Sequence, residues 1–320
     1  MTDRIARRSF AGLLGAGFAL PFATGVALAQ APKLALMAAG QGSAFLPYAQ
    51  GIAKAVALAK AGELEPKESK GSIENLDAVD ASATTLGTAF LGSVHEAVNG
   101  TGFAAGRKRS NVRALFPMYE TAFMTAALQA SGLTDFKSLD GKKVGCGPSG
   151  APGEAYLRAA AEIAGIKPII IGGPPGVQGE DLLAGRLDAF WQGAVVPIPV
   201  FANAANKVEC TVFGLSDAEI AGMRQRFPFM AELTVPAGTY RGQTAALKSV
   251  AAWNVIVAHK DLPVEQAYAI TKAVLSSKDL VSLIGPAGGS TRAENAGVNK
   301  VVPYHPGAAK ALAELGVKVD

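Results

Sequence analysis

The sequence contains few of the residues that most often bind metals. It has two cysteines, Cys146 and Cys210, and three histidines, His95, His259 and His305. The cysteine spacing fits no zinc pattern and the histidines are scattered, so no metal cofactor is expected. In an oxidising compartment the two cysteines could pair. A chain of this length can build its core without a disulfide, so the sequence leaves that pairing open.

Signatures of catalysis are also missing. The sequence has no G-x-S-x-G elbow, no H-E-x-x-H pair and no P-loop lysine after a glycine-rich turn. No histidine lies near Ser149 in sequence, although proximity in space stays open. We therefore expect neither an enzyme nor a bound cofactor.

Residues 1–29 have the pattern of a cleaved secretory signal peptide, with a charged start, an apolar stretch from Phe10 and a small-residue end at Ala27-Leu28-Ala29. Arg7-Arg8 resembles a twin-arginine signal, but the apolar stretch also suits the general export route. An uncleaved membrane anchor is the alternative, and the glycines and proline within the stretch disfavour it. We expect export to the periplasm.

Little net charge remains once this segment is removed. Three arginines and one aspartate leave with it, which lowers the formal charge from +4 to +2. So balanced a chain gives no indication of nucleic-acid binding. No later stretch is long and apolar enough to cross a membrane.

The remaining chain alternates short apolar runs with helical patterns, which is typical of an open α/β sheet. Two extended passages, around "VRALFPMYETAFMTAALQA" and "FMAELTVPAGTYRGQTAALKSVAAWNVIVAHK", interrupt that alternation. We interpret them as two crossings between lobes. The predicted boundaries are 30–125 with 236–320 for lobe I, and 126–235 for an inserted lobe II. Ser216 and Glu219 have the spacing of a capping box, which predicts a helix start there.

The stretch "CGPSGAPGE", residues 146–154, joins a predicted strand to a predicted helix. A glycine-rich turn at a helix N-terminus can leave several backbone N–H groups unpaired and directed at one point, which suits a carboxylate, phosphate or sulfate. An ordinary strand-to-helix turn is the alternative. The first interpretation predicts an anion contact from lobe II.

Seven stretches together, in order, resemble the TAXI-type solute-binding subunits of TRAP transporters: "GSIENL", "RALFPMYE", "LDGKKVGCGPSGAPGE", "LLAGRLDAFWQGAVVP", "VPAGTYRGQ", "IVAHKDLPVEQAYAITKAVL" and "YHPGAAKAL". The resemblance implies a type II periplasmic-binding-protein fold, with two α/β lobes joined by a two-strand hinge and a ligand in the cleft. It also implies a TRAP membrane permease as partner, and a small organic anion or an amino acid such as glutamate as ligand. We expect a monomer. A non-transport binding or sensor-partner protein on the same fold is the alternative.

Ligands of open α/β sheets lie beyond the carboxyl ends of the strands, so the loops there supply the candidate contacts. Phe45 and Trp191 could instead be core residues, and Asn75 an ordinary helix-start residue. Tyr119 and Tyr240 are expected to be structural. The candidate ligand-binding residues are Gly42, Ser43, Phe45, Asn75, Phe90 and Gly92 in lobe I, and Ser149, Gly150, Gly153, Trp191 and Gln192 in lobe II.

Three of these loops are less polar than the pattern of the family they resemble. Gly42–Pro47 reads "GSAFLP" where the family has Gly-Thr-Tyr-Tyr-Pro, and Phe90–Gly92 reads "FLG" where it has Gln-Ser-Asp. The lobe II loop loses at least a threonine in either register. A site without those polar groups gains little from a ligand that must bury its own. We expect a less polar anion than glutamate, with its body near Phe45, Phe90 and Trp191.

Overall fold

The computed structural model describes residues 33–40 and 43–319. The predicted signal peptide, residues 1–29, lies outside the described residues, as does the candidate site residue Gly42. None of the described helices is both long and apolar enough to cross a membrane.

Ten strands form one continuous sheet in this part of the chain. They are β1 (Leu34–Met37), β2 (Leu64–Lys67), β3 (Thr85–Phe90), β4 (Val112–Leu128), β5 (Lys143–Gly145), β6 (Ile169–Ile171), β7 (Ala189–Ala194), β8 (Cys210–Phe213), β9 (Met230–Val235) and β10 (Leu247–His259).

Helices occupy most of the connections between these strands, as the alternating pattern predicts. They are α1 (Phe45–Leu58), α2 (Ser72–Ala81), α3 (Leu91–Asn99), α4 (Pro152–Ala164), α5 (Pro175–Leu183), α6 (Pro199–Lys207), α7 (Asp217–Arg226), α8 (Val264–Leu275), α9 (Leu280–Ile284) and α10 (Pro306–Glu314). The capping box predicted before α7 is confirmed, because the Glu219 amide donates to Ser216 Oγ while the Ser216 amide donates to Glu219 Oε2.

The sheet has two parallel parts separated by antiparallel strands. Its order is β2-β1-β3-β10-β4-β7-β5-β6, with β8 also paired to β4 and β9 to β10. The β1, β2 and β3 strands are parallel to one another, as are β5, β6 and β7. The two central strands, β10 and β4, thus lie between the carboxyl ends of the two parallel parts.

The two extended passages of the sequence contain the two longest described strands. β4 has 17 residues and β10 has 13, and they pair antiparallel with each other. One end of β4 continues beyond β10 to pair with β7 and β8, while the opposite end of β10 pairs with β3. Each strand thus belongs to both sides of the sheet. The predicted lobe boundary at 125/126 falls inside β4.

Asn254 ties these two strands together where they cross. The pairing of β10 with β4 is irregular between Trp253 and Val255, and Asn254 lies at that irregularity. Its side chain is 1% exposed, and its Nδ2 donates to the Tyr119 carbonyl at 3.0 Å and to Thr121 Oγ1 at 2.9 Å. The amide thereby replaces hydrogen bonds that the irregular ladder does not make.

We expect Asn254→Ala to lower the free energy of unfolding by about 1–3 kcal/mol, because it leaves buried acceptors without their donor. Urea unfolding followed by circular dichroism measures this. Asn206→Ala is the control, since Asn206 is exposed on α6, and it should change stability by less than about 0.5 kcal/mol. Equal midpoints for Asn254→Ala and the unmodified protein would contradict the role given to Asn254.

Candidate ligand-binding cleft

A cleft of about 690 Å³ lies over the crossing of β4 and β10. Its first wall comes from the ends of β1, β2 and β3 and the loops after them, namely residues 39–40, 43–45 and 69–72 and Phe90. Its floor is formed by Tyr119, Thr121, Phe123 and Asn254. The second wall comes from the other side of the sheet, residues 146–148, 151–153, 192–195 and 198–200 and Pro175.

The floor is built from alternate residues of β4. Tyr119, Thr121 and Phe123 share one face because side chains of a strand alternate between faces. Tyr119 is only 3% exposed, and its hydroxyl makes no hydrogen bond with the described residues. Burial raises the pKa of Tyr119, so this hydroxyl stays protonated at neutral pH and can donate to a ligand.

Sequence reasoning missed this floor because it gave the whole extended passage a structural role. The signal was present, since Tyr119 and Thr121 carry hydroxyls two residues apart in an otherwise apolar strand. Hydroxyls on one face of a buried strand require either partners or a ligand. The expectation that Tyr119 is purely structural therefore does not account for its place in the cleft.

Asn75 holds the first wall in place from behind. Its side chain is fully buried, and its Nδ2 donates to the carbonyls of Ala38 and Thr88, at 2.5 and 2.8 Å. Its Oδ1 accepts from Ser69 Oγ at 2.6 Å. These bonds join the ends of β1 and β3 to the loop before α2. Asn75 is absent from the cleft lining and positions that loop instead of reaching the ligand space.

The second wall offers fewer free N–H groups than its sequence suggests. Of the seven N–H groups in residues 146–154, five have acceptors within the protein. The Gly147 amide donates to Gln178 Oε1 at 2.7 Å, and the Gly150 amide donates to Glu154 Oε2 at 2.9 Å. That bond, together with Arg158, lowers the pKa of Glu154. The predicted cluster of donors is thus mostly occupied, and Gly153 supplies the one unpaired amide of this loop that belongs to a cleft-lining residue.

The predicted site residues divide into two groups. The structure brings together along the cleft Ser43, Phe45, Phe90, Gly153 and Gln192. It places outside the lining Asn75, Gly92, Ser149, Gly150 and Trp191. Ser149 and Gly150 are exposed on the turn before α4.

Trp191 lies behind the cleft. It is fully buried, donates from Nε1 to the Gly153 carbonyl at 3.1 Å, and stacks on Phe123 with ring centroids 5.9 Å apart. Phe123 is the ring that reaches the lining. The alternation of β7 explains this, because Gln192, the next residue, faces the cleft when Trp191 faces the interior.

Charge in the cleft comes from one side chain in the described lining. Lys70, in the loop before α2, is cationic, while aspartate, glutamate, arginine and histidine are missing from the lining in this part of the chain. Cys146 also lines the cleft, and burial raises its pKa to about 11, so it stays a thiol. Cys146 and Cys210 are unpaired. No cluster of three metal-ligating side chains occurs among the residues the structure describes.

Comparison with known proteins agrees with this architecture. The model of the NMT1-like family matches residues 36–316. Malate-bound MatC from Rhodopseudomonas palustris is 15% identical, with 89% of this chain and 96% of that chain covered at a TM-score of 0.55. The periplasmic binding protein BugD is 13% identical, with 89% and 98% covered at a TM-score of 0.52. A TctC solute-binding protein from Polaromonas is 13% identical, with 80% and 88% covered at 0.52.

These likenesses show the fold. The chain has the α/β periplasmic-binding-protein fold, and the fold class predicted from the sequence is confirmed.

Gly92 provides a test of packing beside the cleft. A Cβ added there would lie 2.5 Å from Tyr156 Oη and 2.6 Å from a ring carbon of Phe90. We expect Gly92→Ala to lower the free energy of unfolding by about 1–3 kcal/mol through overpacking. Gly176 is the second residue of α5, as Gly92 is of α3, and a Cβ there meets no atom within 4 Å. Gly176→Ala should therefore be neutral or stabilising, and equal destabilisation of both variants by denaturant would refute the packing role.

Proposed function

The chain belongs to the NMT1-like family, and from this membership and the cleft we propose that it is a solute-binding protein. It captures a small organic anion or an amino acid in the space between the two walls. The observation that carries the proposal is the position of the cleft, over the two strands that connect both sides of the sheet and between loops from each side. MatC, whose structure holds malate, provides an example of such a ligand on this fold.

We propose that binding works by closure about β4 and β10. Residues 30–125 with 236–320 form one lobe in this proposal, and residues 126–235 form the other. A ligand that contacts both walls stabilises the closed state because only that state offers both sets of contacts. The fully buried Asn254 amide fixes the point about which the lobes rotate.

We further propose that the protein acts in the periplasm and delivers its ligand to a TRAP membrane permease. The support is the resemblance of seven stretches, in order, to TAXI-type subunits, together with the signal-peptide pattern of residues 1–29. A non-transport binding protein on the same fold is the alternative. A permease gene next to this one, and loss of ligand uptake when either gene is deleted, would favour transport.

Closure predicts a measurable compaction. Thermal-shift screening with malate, glutamate and a series of monocarboxylates identifies a ligand, since a compound that binds the folded state alone raises the melting temperature. Small-angle scattering with the strongest hit at saturation should then give a smaller radius of gyration than the free protein. An unchanged radius would refute closure. The compound should be recovered chemically unchanged, whereas turnover would indicate an enzyme.

Gln192 is the polar side chain that we expect to contact the ligand from the second wall. Its Nε2 donates to the Gly193 carbonyl at 3.1 Å. Gln192→Ala should weaken binding by roughly 1–3 kcal/mol if the amide pairs with a buried ligand group. Calorimetry with the same compound measures this. Gln225→Ala, on the exposed face of α7, is the control and should bind normally; equal affinity of both variants would remove Gln192 from the site.

A further inference from the structure

The cleft has one formal charge in its described lining, and this charge lies on the first wall. Lys70 precedes α2 and is exposed to the cleft. Its ammonium group forms no ion pair with the described residues. A cation at the N-terminus of a helix is unfavourable, because the helix dipole has its positive end there. An anion bound there would offset both the charge of the Lys70 ammonium group and the positive end of the helix dipole.

The same helix end has unpaired donors. The backbone N–H groups of Ser72, Ile73 and Glu74 have no acceptor among the described residues, and the N-cap residue Gly71 has no side chain to supply one. Of these three residues, Ser72 lines the cleft. Gly71 has φ of 106°, a conformation that favours glycine. The side chain of Glu74 turns back to accept from the Lys70 amide at 3.0 Å, so its charge offsets part of this positive field.

The floor adds a second, independent indication of a ligand in the same cleft. The Tyr119 side chain is 97% buried, lines the cleft, and has a hydroxyl without a partner in the described chain. Thr121 Oγ1 accepts from Asn254, which leaves the threonine hydroxyl proton available to a ligand. Two hydroxyl donors thus lie on the floor that continues from the first wall.

Apart from the Gln192 amide, the second wall has the opposite character. Pro148, Pro152 and Pro175 line it and have no N–H group to donate. Val195, Ile198 and Val200 present hydrocarbon, and the Ile198 amide is already bonded to Tyr240 Oη at 2.8 Å. This wall suits the apolar body of a ligand.

An amino acid would be poorly held in such a cleft. Its ammonium group needs an acidic side chain or several free carbonyls when it leaves water, and an unpaired buried charge is costly. The described lining contains no aspartate or glutamate, and its one charged residue, Lys70, would repel an ammonium group.

We propose, on the basis of the solute-binding function above, that the ligand is an organic carboxylate without an amino group. Its carboxylate lies at the N-terminus of α2 beside Lys70, and its hydrocarbon body lies against the second wall. This places the anion on the wall opposite to the glycine-rich loop at 146–154.

Matched compounds test the ligand class. Calorimetry on the purified protein compares hexanoate with norleucine and hexanamide, and 3-phenylpropanoate with phenylalanine and 3-phenylpropanamide. The carboxylates should bind at least tenfold more tightly than the amino acid or the amide of the same skeleton. Tighter binding of an amino acid would overturn this inference and leave the proposed function standing. No saturable binding by any of these, by carboxylates of four to ten carbons, or by malate and glutamate would contradict both.

Three variants test where the carboxylate lies. Lys70→Gln should weaken binding of the best carboxylate at least tenfold, whereas Glu74→Gln should leave it unchanged or strengthen it by removing an opposing charge. Lys54→Gln is the control, because Lys54 is exposed on α1 away from the cleft. Melting temperatures confirm that each variant is folded. Equal affinity of Lys70→Gln and Lys54→Gln would show that Lys70 does not anchor the ligand.

Discussion

The crossing of β4 and β10 is the constraint on which the rest of the structure depends. Both parallel parts of the sheet attach to these strands, so the positions of both cleft walls are set by them. The ladder between them is irregular, with register shifts between Trp253 and Val255 and between Ile256 and Val257. The Asn254 amide bonds the Tyr119 carbonyl and the Thr121 hydroxyl at the first of these shifts, and the same residues form the cleft floor. The residues that join the two strands are thus also residues of the cleft floor.

An aromatic cluster joins the two sides of the sheet. Phe90, from the end of β3, lies 6.2 Å from Phe123 on β4 and 5.9 Å from Tyr156 on α4, measured between ring centroids. Phe123 and Tyr156 are 5.0 Å apart. These contacts join elements from both sides of the sheet directly beside the floor, and edge-to-face packing stabilises them beyond area burial alone. Gly92 leaves the space that Tyr156 needs for this packing. The two sides of the sheet are therefore packed directly against each other at this point.

The sequence predicts the elements of this fold well, because periodicity and capping are local. The α7 capping box and the two long crossing strands needed no tertiary information. The residues that line the cleft were harder to predict. The rule that places ligands at strand ends selects loops, but it does not say in which direction each side chain points. Asn75 satisfies that rule, yet its amide is used by Ala38, Thr88 and Ser69. Tyr119 and Thr121 lie mid-strand, so only the crossing brings them into the cleft.

The loop at 146–154 shows why composition alone could not locate the charge in this cleft. Each wall has a turn that precedes a helix, and the glycine-rich sequence of the second-wall turn suggests an anion-binding role. In the second wall, Gln178 and Glu154 satisfy the Gly147 and Gly150 amides. Gln178 lies on α5, later in the chain than this stretch, so the sequence of the stretch does not indicate it. Glu154 is the last residue of the stretch and lies in the first turn of α4, from which its side chain reaches back to Gly150. In the first wall the amides of Ser72 and Ile73 keep no such partner among the described residues, and Lys70 adds a cation. The polarity of each wall thus depends on whether side chains accept hydrogen bonds from its backbone N–H groups.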